Sequence, residues 1–126
     1  MNPEHIEQAA EALWIAQENA RPIASLSVGA APQSRADGYA VQQALARLSR
    51  QQSFGWKIAA TSLAGQKHIG VDGPLGGRLF LNRVLPMSRP ISLTGNGMKL
   101  GEAEFAFRMA ADLPPRGKAY TLDDVM

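Results

Sequence analysis

The 126-residue chain contains no cysteine, and this absence removes several kinds of chemistry. Disulfides, thiolate metal ligands and a cysteine nucleophile are all excluded. The two histidines, His5 and His68, lie far apart and form no His-x-x-x-His ligand pair, which argues against a zinc hydrolase. G-x-S-x-G, G-x-G-x-x-G and P-loop sequences are also missing, so serine hydrolysis and nucleotide binding have no support.

The chain also lacks concentrated charge and long apolar runs. Its 13 Lys and Arg and 11 Asp and Glu give a formal net charge of +2, with no basic cluster of the kind that binds phosphate backbones. No apolar run approaches the ~20 residues of a membrane-spanning helix. The acidic, amphipathic N-terminus is not a secretory signal. We therefore expect a cytoplasmic protein that binds neither nucleic acid nor membrane.

The apolar pattern of the N-terminal part is helical. Apolar residues recur at helical spacing over 3–20 and over 34–51, and a short third helix is predicted over 61–70. The composition, 45% apolar and 19% charged, is ordinary for one small globular domain with its own core.

Beyond residue 53 the pattern changes to the alternation of β-strands. FGWKIA (54–59) places large and small side chains on opposite faces. Three further strands are predicted, at 78–82, 90–94 and 98–110. The predicted class is α+β, with a helical region over 1–53 packed on the first part of a mixed, mostly antiparallel β-rich region over 54–126.

Two glutamates, Glu102 and Glu104, stand one residue apart in the apolar stretch LGEAEFAF. On a strand they would share one face, with their Cβ atoms ~7 Å apart, and Phe105 and Phe107 would share the other. Two carboxylates at that spacing can reach one hard cation such as Mg²⁺, Mn²⁺ or Ca²⁺. The same pattern fits a half-buried strand whose glutamates lie in water, so the spacing alone leaves both interpretations open.

Lys57 shares its strand face with the small neighbours Gly55 and Ala59, which leaves room for a ligand. Such a lysine could bind a carboxylate or, with a depressed pKa, transfer a proton. The alternative is an exposed lysine on a solvated strand face. Asp72, in GVDGP, is most simply a turn residue that bonds its own backbone.

Three stretches together resemble the 2-keto-4-pentenoate hydratase family of the fumarylacetoacetate hydrolase superfamily. They are GWKIAATSLAGQKHIGVDGPLGGRLF (55–80), LGEAEFAFRMAADLP (100–114) and YTLDDVM (120–126). They contain, in the family's order, a G-x-K strand, a V-D-x-P turn, an E-x-E pair, a D-L-P loop and a T-x-D-D helix start. The resemblance implies a fold like the C-terminal domain of fumarylacetoacetate hydrolase. It also implies a lyase that hydrates 2-hydroxypenta-2,4-dienoate-type substrates to 4-hydroxy-2-oxo acids in aromatic compound catabolism.

The resemblance also implies residue roles. Glu102 and Glu104 would be two of three carboxylates that hold Mg²⁺ or Mn²⁺, and Lys57 would hold the substrate carboxylate or assist proton transfer. Asp72 and Leu75 are further substrate-binding candidates, although some relatives carry an acid where Leu75 stands. Decarboxylases and C–C hydrolases of the superfamily share the E-x-E site and stay open as alternatives.

The family's chains are roughly twice as long as this one, so the resemblance implies an N-terminal half whose third metal carboxylate lies beyond Met126. The capping signal of Thr121 and Asp124 is followed by only two residues, which also suggests a truncated chain. We therefore expect a fragment that is inactive alone, or a non-catalytic module. Open strand edges and exposed apolar faces would make it self-associate as a homo-oligomer.

Overall fold

Helices α1 (Pro3–Glu18) and α2 (Arg35–Ser49) form the N-terminal region of the computed structural model, which describes residues 1–126. Both begin directly after a capping residue. The Asn2 side chain accepts the backbone N–H of His5 at 2.8 Å, and Ser34 Oγ accepts that of Asp37 at 3.1 Å. These side chains satisfy N–H groups that have no partner inside the helix, which fixes the two starting points.

The hydrophobic core lies between these two helices and consists of small side chains. Five apolar residues are buried: Ala9, Ala10, Ala30, Val41 and Ala44. None of the fully buried side chains is large. The stability of the helix pair therefore depends on the close approach of the two helices, since each buried alanine removes little apolar area from water.

The N-terminus is tied to α2 through Asp37. The Met1 ammonium donates to Asp37 Oδ1 at 2.6 Å, while Ser34 Oγ and the Gln33 backbone N–H donate to Oδ2 at 2.9 and 3.2 Å. These donors, the ammonium first among them, lower the pKa of the Asp37 carboxyl to about 2. Asp37 is therefore ionised at neutral pH and joins Met1, the preceding loop and the start of α2.

A β-hairpin with an inserted helix follows. Strands β1 (Ser53–Ala59) and β2 (Leu75–Phe80) pair in antiparallel fashion, and helix α3 (Leu63–Ile69) lies between them in sequence. The register places Lys57 opposite Gly77, and Ile58 opposite Gly76. Because side chains alternate along a strand, Lys57 lies on the face opposite the one that carries Ile58.

Two of the predicted strands are absent. Residues 90–94 and 98–110 are irregular, and the strand predicted at 78–82 ends with β2 at Phe80, after which 81–83 form a turn of 3₁₀ helix. A strand needs a neighbouring edge for its backbone hydrogen bonds, and the sheet of this chain consists of β1 and β2. The α+β class is confirmed, whereas the larger mixed sheet is not present in this chain.

The last helix, α4 (Leu122–Val125), begins at the predicted capping box. The Thr121 backbone N–H donates to Asp124 Oδ2 at 2.7 Å, and the Asp124 N–H donates to Thr121 Oγ1 at 3.3 Å. Arg116 forms an ion pair with Asp124, which lowers the pKa of that carboxyl. Its guanidinium also lies 3.7 Å from the centre of the Tyr120 ring. No helix in the chain has both the length and the apolarity that a membrane span requires.

Candidate functional site

Lys57, Glu102 and Glu104 form one cluster. The Lys57 ammonium lies 3.2 Å from Glu102 Oε2 and also forms an ion pair and hydrogen bond with Glu104 Oε1. Both carboxylates therefore converge on a single cation, although they lie more than forty residues from it in the sequence. The chain brings together the three residues that the family resemblance implies in one active site.

Lys57 lies on a paired strand, whereas the two glutamates lie on backbone that is not hydrogen-bonded to a strand. Lys57 lies in the middle of β1, and its cross-strand neighbour, Gly77, has no side chain to obstruct it. Glu102 and Glu104 lie on an irregular segment without a strand partner. The side chains are 36%, 69% and 52% exposed for Lys57, Glu102 and Glu104, so water reaches all three. The segment is therefore held against β1 by an exposed ion pair, which water and salt weaken.

The two glutamates raise the pKa of Lys57 above its ordinary value, and the hydrogen bond to Glu104 has the largest effect. Each carboxylate favours the charged form of the amine. A general base would need the opposite shift, so the option of a lysine with a depressed pKa is wrong for this structure. With one ammonium and two carboxylates, the cluster has a formal net charge of −1.

The donors of the cluster do not fit a resident Mg²⁺ or Mn²⁺ ion. Oxygen is the right ligand type, and the two carboxylates converge as such an ion requires. However, Mg²⁺ needs a near-octahedral set of oxygens, and nowhere do three or more His, Cys, Asp or Glu side chains form a group that could hold a metal. Glu102 and Glu104 are two carboxylates, whereas the resemblance implies a set of three.

The other predicted site residues, Asp72 and Leu75, lie elsewhere. They line an open cleft of about 800 Å³ between α2 and the turn that precedes β2. The lining of this cleft includes none of the three residues of the Lys57 cluster. Asp72 forms an ion pair with Arg35 of α2, so its carboxylate fastens the turn to the helix. The predicted substrate-binding residues thus fall into two separate places.

Three α2 side chains that build this cleft are not among the residues predicted from the sequence: Arg35, Tyr39 and Gln42. Arg35 Nη1 donates to the Pro74 carbonyl at 3.2 Å. The Tyr39 hydroxyl accepts the Gly76 N–H at 3.1 Å, and Gln42 Nε2 donates to the Gly76 carbonyl at 3.0 Å. The i, i+4, i+7 spacing of the three residues is a signal that they share one helix face. They dock the hairpin onto α2.

Comparison with known proteins gives two relatives of equal similarity. The chain is 33% identical over 117 residues to a 2-keto-4-pentenoate hydratase of Paraburkholderia xenovorans (strain LB400), and equally to 2-keto-4-pentenoate hydratase 3 of Pseudomonas putida. This chain is similar to 2-keto-4-pentenoate hydratases. The resemblance that its motifs indicated is thus confirmed.

The match to these hydratases covers 90% of this chain and 43% of each relative, so the chain spans less than half the length of the curated relatives it matches. Because the unmatched tenth can lie only near the ends, Lys57, Glu102 and Glu104 all fall inside the matched region. No family model matches the chain, and no solved structure matches it. A fold like that of fumarylacetoacetate hydrolase stays a prediction.

Proposed function

We propose that this chain supplies part of the active site of a hydratase, a lyase that adds water to 2-hydroxypenta-2,4-dienoate-type substrates and gives 4-hydroxy-2-oxo acids. The observation that supports it is the convergence of Lys57, Glu102 and Glu104 within a region that matches proteins named 2-keto-4-pentenoate hydratase. A dienoate carries a carboxylate that a cation can hold, and its hydration moves protons at carbon and oxygen. The cluster offers groups for both tasks.

Lys57 is the residue of the cluster that we propose contacts the substrate. An ammonium has three N–H donors; in this structure one donates to Glu104, and Glu102 Oε2 lies 3.2 Å away as an ion-pair partner. A donor that the glutamates leave free can donate to the substrate carboxylate, and a divalent cation bound to the glutamates would free the others. Because its pKa is raised, Lys57 acts in this role as a cation or proton donor and not as a base.

We propose that Lys57, Glu102 and Glu104 need additional positively charged groups for turnover, because the net charge of the cluster is negative. A cluster of net charge −1 repels an anionic dienoate, so substrate binding requires additional positive charge. For a complete active site we propose Mg²⁺ or Mn²⁺ as cofactor, with Glu102 and Glu104 as two of its carboxylate ligands. In this chain the donors are too few, so we expect the 126 residues alone to be inactive.

Two preparations test this proposal. With Mg²⁺ and 2-hydroxypenta-2,4-dienoate, we expect this chain alone to show no loss of the dienol absorbance beyond the uncatalysed rate. We expect hydration from a chimera in which this chain replaces the matched region of the Pseudomonas putida hydratase 3. Circular dichroism establishes which chimeras are folded.

The outcomes separate the candidate functions. Turnover by the isolated chain at the rate of the whole relative would show that its site is complete. A folded chimera without activity would refute the hydratase assignment and favour a non-catalytic module. Release of CO₂ in place of the 4-hydroxy-2-oxo acid would identify decarboxylation, and cleavage of a carbon–carbon bond in a longer substrate would identify a hydrolase.

We also propose that the chain self-associates, with a second copy of itself as the partner. Phe105 and Phe107 are 98% and 79% exposed, on a segment that has the alternation of a strand but no strand partner. The two-stranded sheet leaves one open edge on β1 and another on β2. Each copy therefore contains both an unpaired segment and an edge that could pair with it, which permits a reciprocal dimer.

Light scattering tests the self-association. We expect the average mass to rise above that of one chain as protein concentration increases, and the double substitution Phe105→Ser and Phe107→Ser to reduce this rise. Leu63→Ser is the matched control, because Leu63 is 83% exposed and lies on α3, outside the segment. A single species of monomer mass over a wide concentration range would contradict the proposal.

A further inference from the structure

The resemblance implies a divalent metal ion between Glu102 and Glu104, but in this structure the cation at that position is a lysine side chain. Glu102 and Glu104 direct oxygens toward a common point, but the group at that point is the Lys57 ammonium. We infer that Lys57 takes the place of a divalent cation between Glu102 and Glu104, and that any divalent cation must displace it to bind there. The inference depends on the geometry of three side chains and not on the proposed hydration.

Lys57 and a divalent cation would compete for the same space. Lys57 Nζ lies 3.2 Å from Glu102 Oε2 and closer still to Glu104 Oε1, so it occupies the point that both carboxylates share. A Mg²⁺ ion bound to the same oxygens would lie about 2.1 Å from each. An ammonium and a Mg²⁺ ion on the same oxygens would be only a few ångströms apart, and two cations at that separation repel each other. Binding of the ion therefore requires the ammonium to move away.

The charge of Lys57 also opposes the binding of a divalent cation. With Lys57 in place, an approaching divalent cation meets a cluster of net charge −1, and without Lys57 it meets two carboxylates of total charge −2. Even in water, the repulsion between a divalent ion and a unit positive charge a few ångströms away corresponds to about a tenfold loss of binding affinity. Lys57 should therefore weaken the binding of divalent cations to this pair.

Lys57 and the two glutamates lie on backbone segments of different kinds. Lys57 belongs to a paired strand, whereas the glutamates belong to a segment that has no backbone partner. The ion pair is a link between this segment and β1. Displacement of the ammonium would therefore remove this link between the segment and β1 unless the incoming cation contacted both.

Mn²⁺ binding to the full chain tests the inference, with the electron paramagnetic resonance signal of free Mn²⁺ as the readout. We expect weak binding by the unsubstituted chain and about tenfold tighter binding by Lys57→Met, which removes the charge but keeps a long side chain. Lys57→Arg keeps the charge and should bind as weakly as the unsubstituted chain. Lys67→Met removes an exposed lysine on α3 and is the matched control.

A triple variant, Lys57→Met with Glu102→Gln and Glu104→Gln, locates the effect. Its Mn²⁺ affinity should fall back to that of the unsubstituted chain. If the triple variant binds Mn²⁺ as tightly as Lys57→Met does, the ion is bound elsewhere and the inference is overturned. A folded Lys57→Met chain that binds Mn²⁺ no more tightly than the unsubstituted chain would also overturn it.

A measurement on the unsubstituted chain covers the case in which the variants do not fold. Mg²⁺ titration followed by NMR should shift the signals of the Lys57 side chain together with those of the Glu102 and Glu104 carboxyl carbons. If the glutamate signals titrate while those of Lys57 do not move, the cation binds without displacing the ammonium and the inference is wrong. Neither readout measures turnover, so failure here and failure of the hydratase proposal are distinguishable.

Discussion

Replacement of Ala44 by leucine is expected to destabilise the helix pair by about 1–3 kcal/mol, the usual result of adding methylene groups to a packed core. Ala44 lies on α2 and is fully buried with Ala9 and Ala10 of α1. The larger side chain can fit only if the two helices separate. Separation would also expose Val41, which is buried in the same core.

Ala36→Leu is the matched control, because Ala36 lies on the same helix and is exposed. Alanine and leucine have similar helix propensities, so both substitutions should change the intrinsic stability of α2 little. Urea unfolding followed by circular dichroism should therefore show a lower midpoint for Ala44→Leu and a nearly unchanged midpoint for Ala36→Leu. Equal midpoints would mean that the interface between α1 and α2 is not closely packed.

The starts of the helices could be predicted from the sequence because they depend on contacts within a few residues. Asn2, Ser34, Ser62 and Thr121 each accept a backbone N–H three residues ahead in the chain. Such a bond needs no tertiary structure, so the residue type at the position is sufficient evidence. β1 was also predicted correctly, because its partner β2 is present in the same chain.

The strand predicted over 98–110 is wrong for a reason that its sequence cannot reveal. Alternation tells which side chains would share a face, but a strand forms only when another edge satisfies its backbone. Here the segment is irregular and its large apolar side chains are exposed. The alternation therefore shows that the segment could form a strand if an edge were available, and no strand of this chain pairs with it.

The candidate site was predictable in part. E-x-E and G-x-K are weak motifs singly, and only their order along the chain indicates that Lys57, Glu102 and Glu104 lie together. No pattern in the sequence indicates that the ammonium itself lies between the carboxylates, because this contact joins residues far apart in the chain. The GVDGP pattern predicts only a turn residue at Asp72, since its partner Arg35 lies on a distant helix.

Substitution of Lys57 by methionine in the active chimera is expected to reduce hydration about 100-fold or more, the range lost when a positioned proton donor is removed. The substitution removes the cation that we propose to hold the substrate carboxylate, and methionine cannot donate a hydrogen bond in its place. Initial rates at saturating and at limiting substrate would separate loss of binding from loss of the chemical step.

The same substitution is expected to tighten divalent cation binding, so its two effects have opposite signs. A variant that bound the cation more tightly and hydrated the substrate more slowly could not owe its slower rate to a lost metal ion. Lys67→Met in the same chimera should change neither property, because Lys67 is exposed on α3. An unchanged hydration rate for a folded Lys57→Met chimera would remove Lys57 from the proposed mechanism and leave its contact with Glu102 and Glu104 as a structural ion pair.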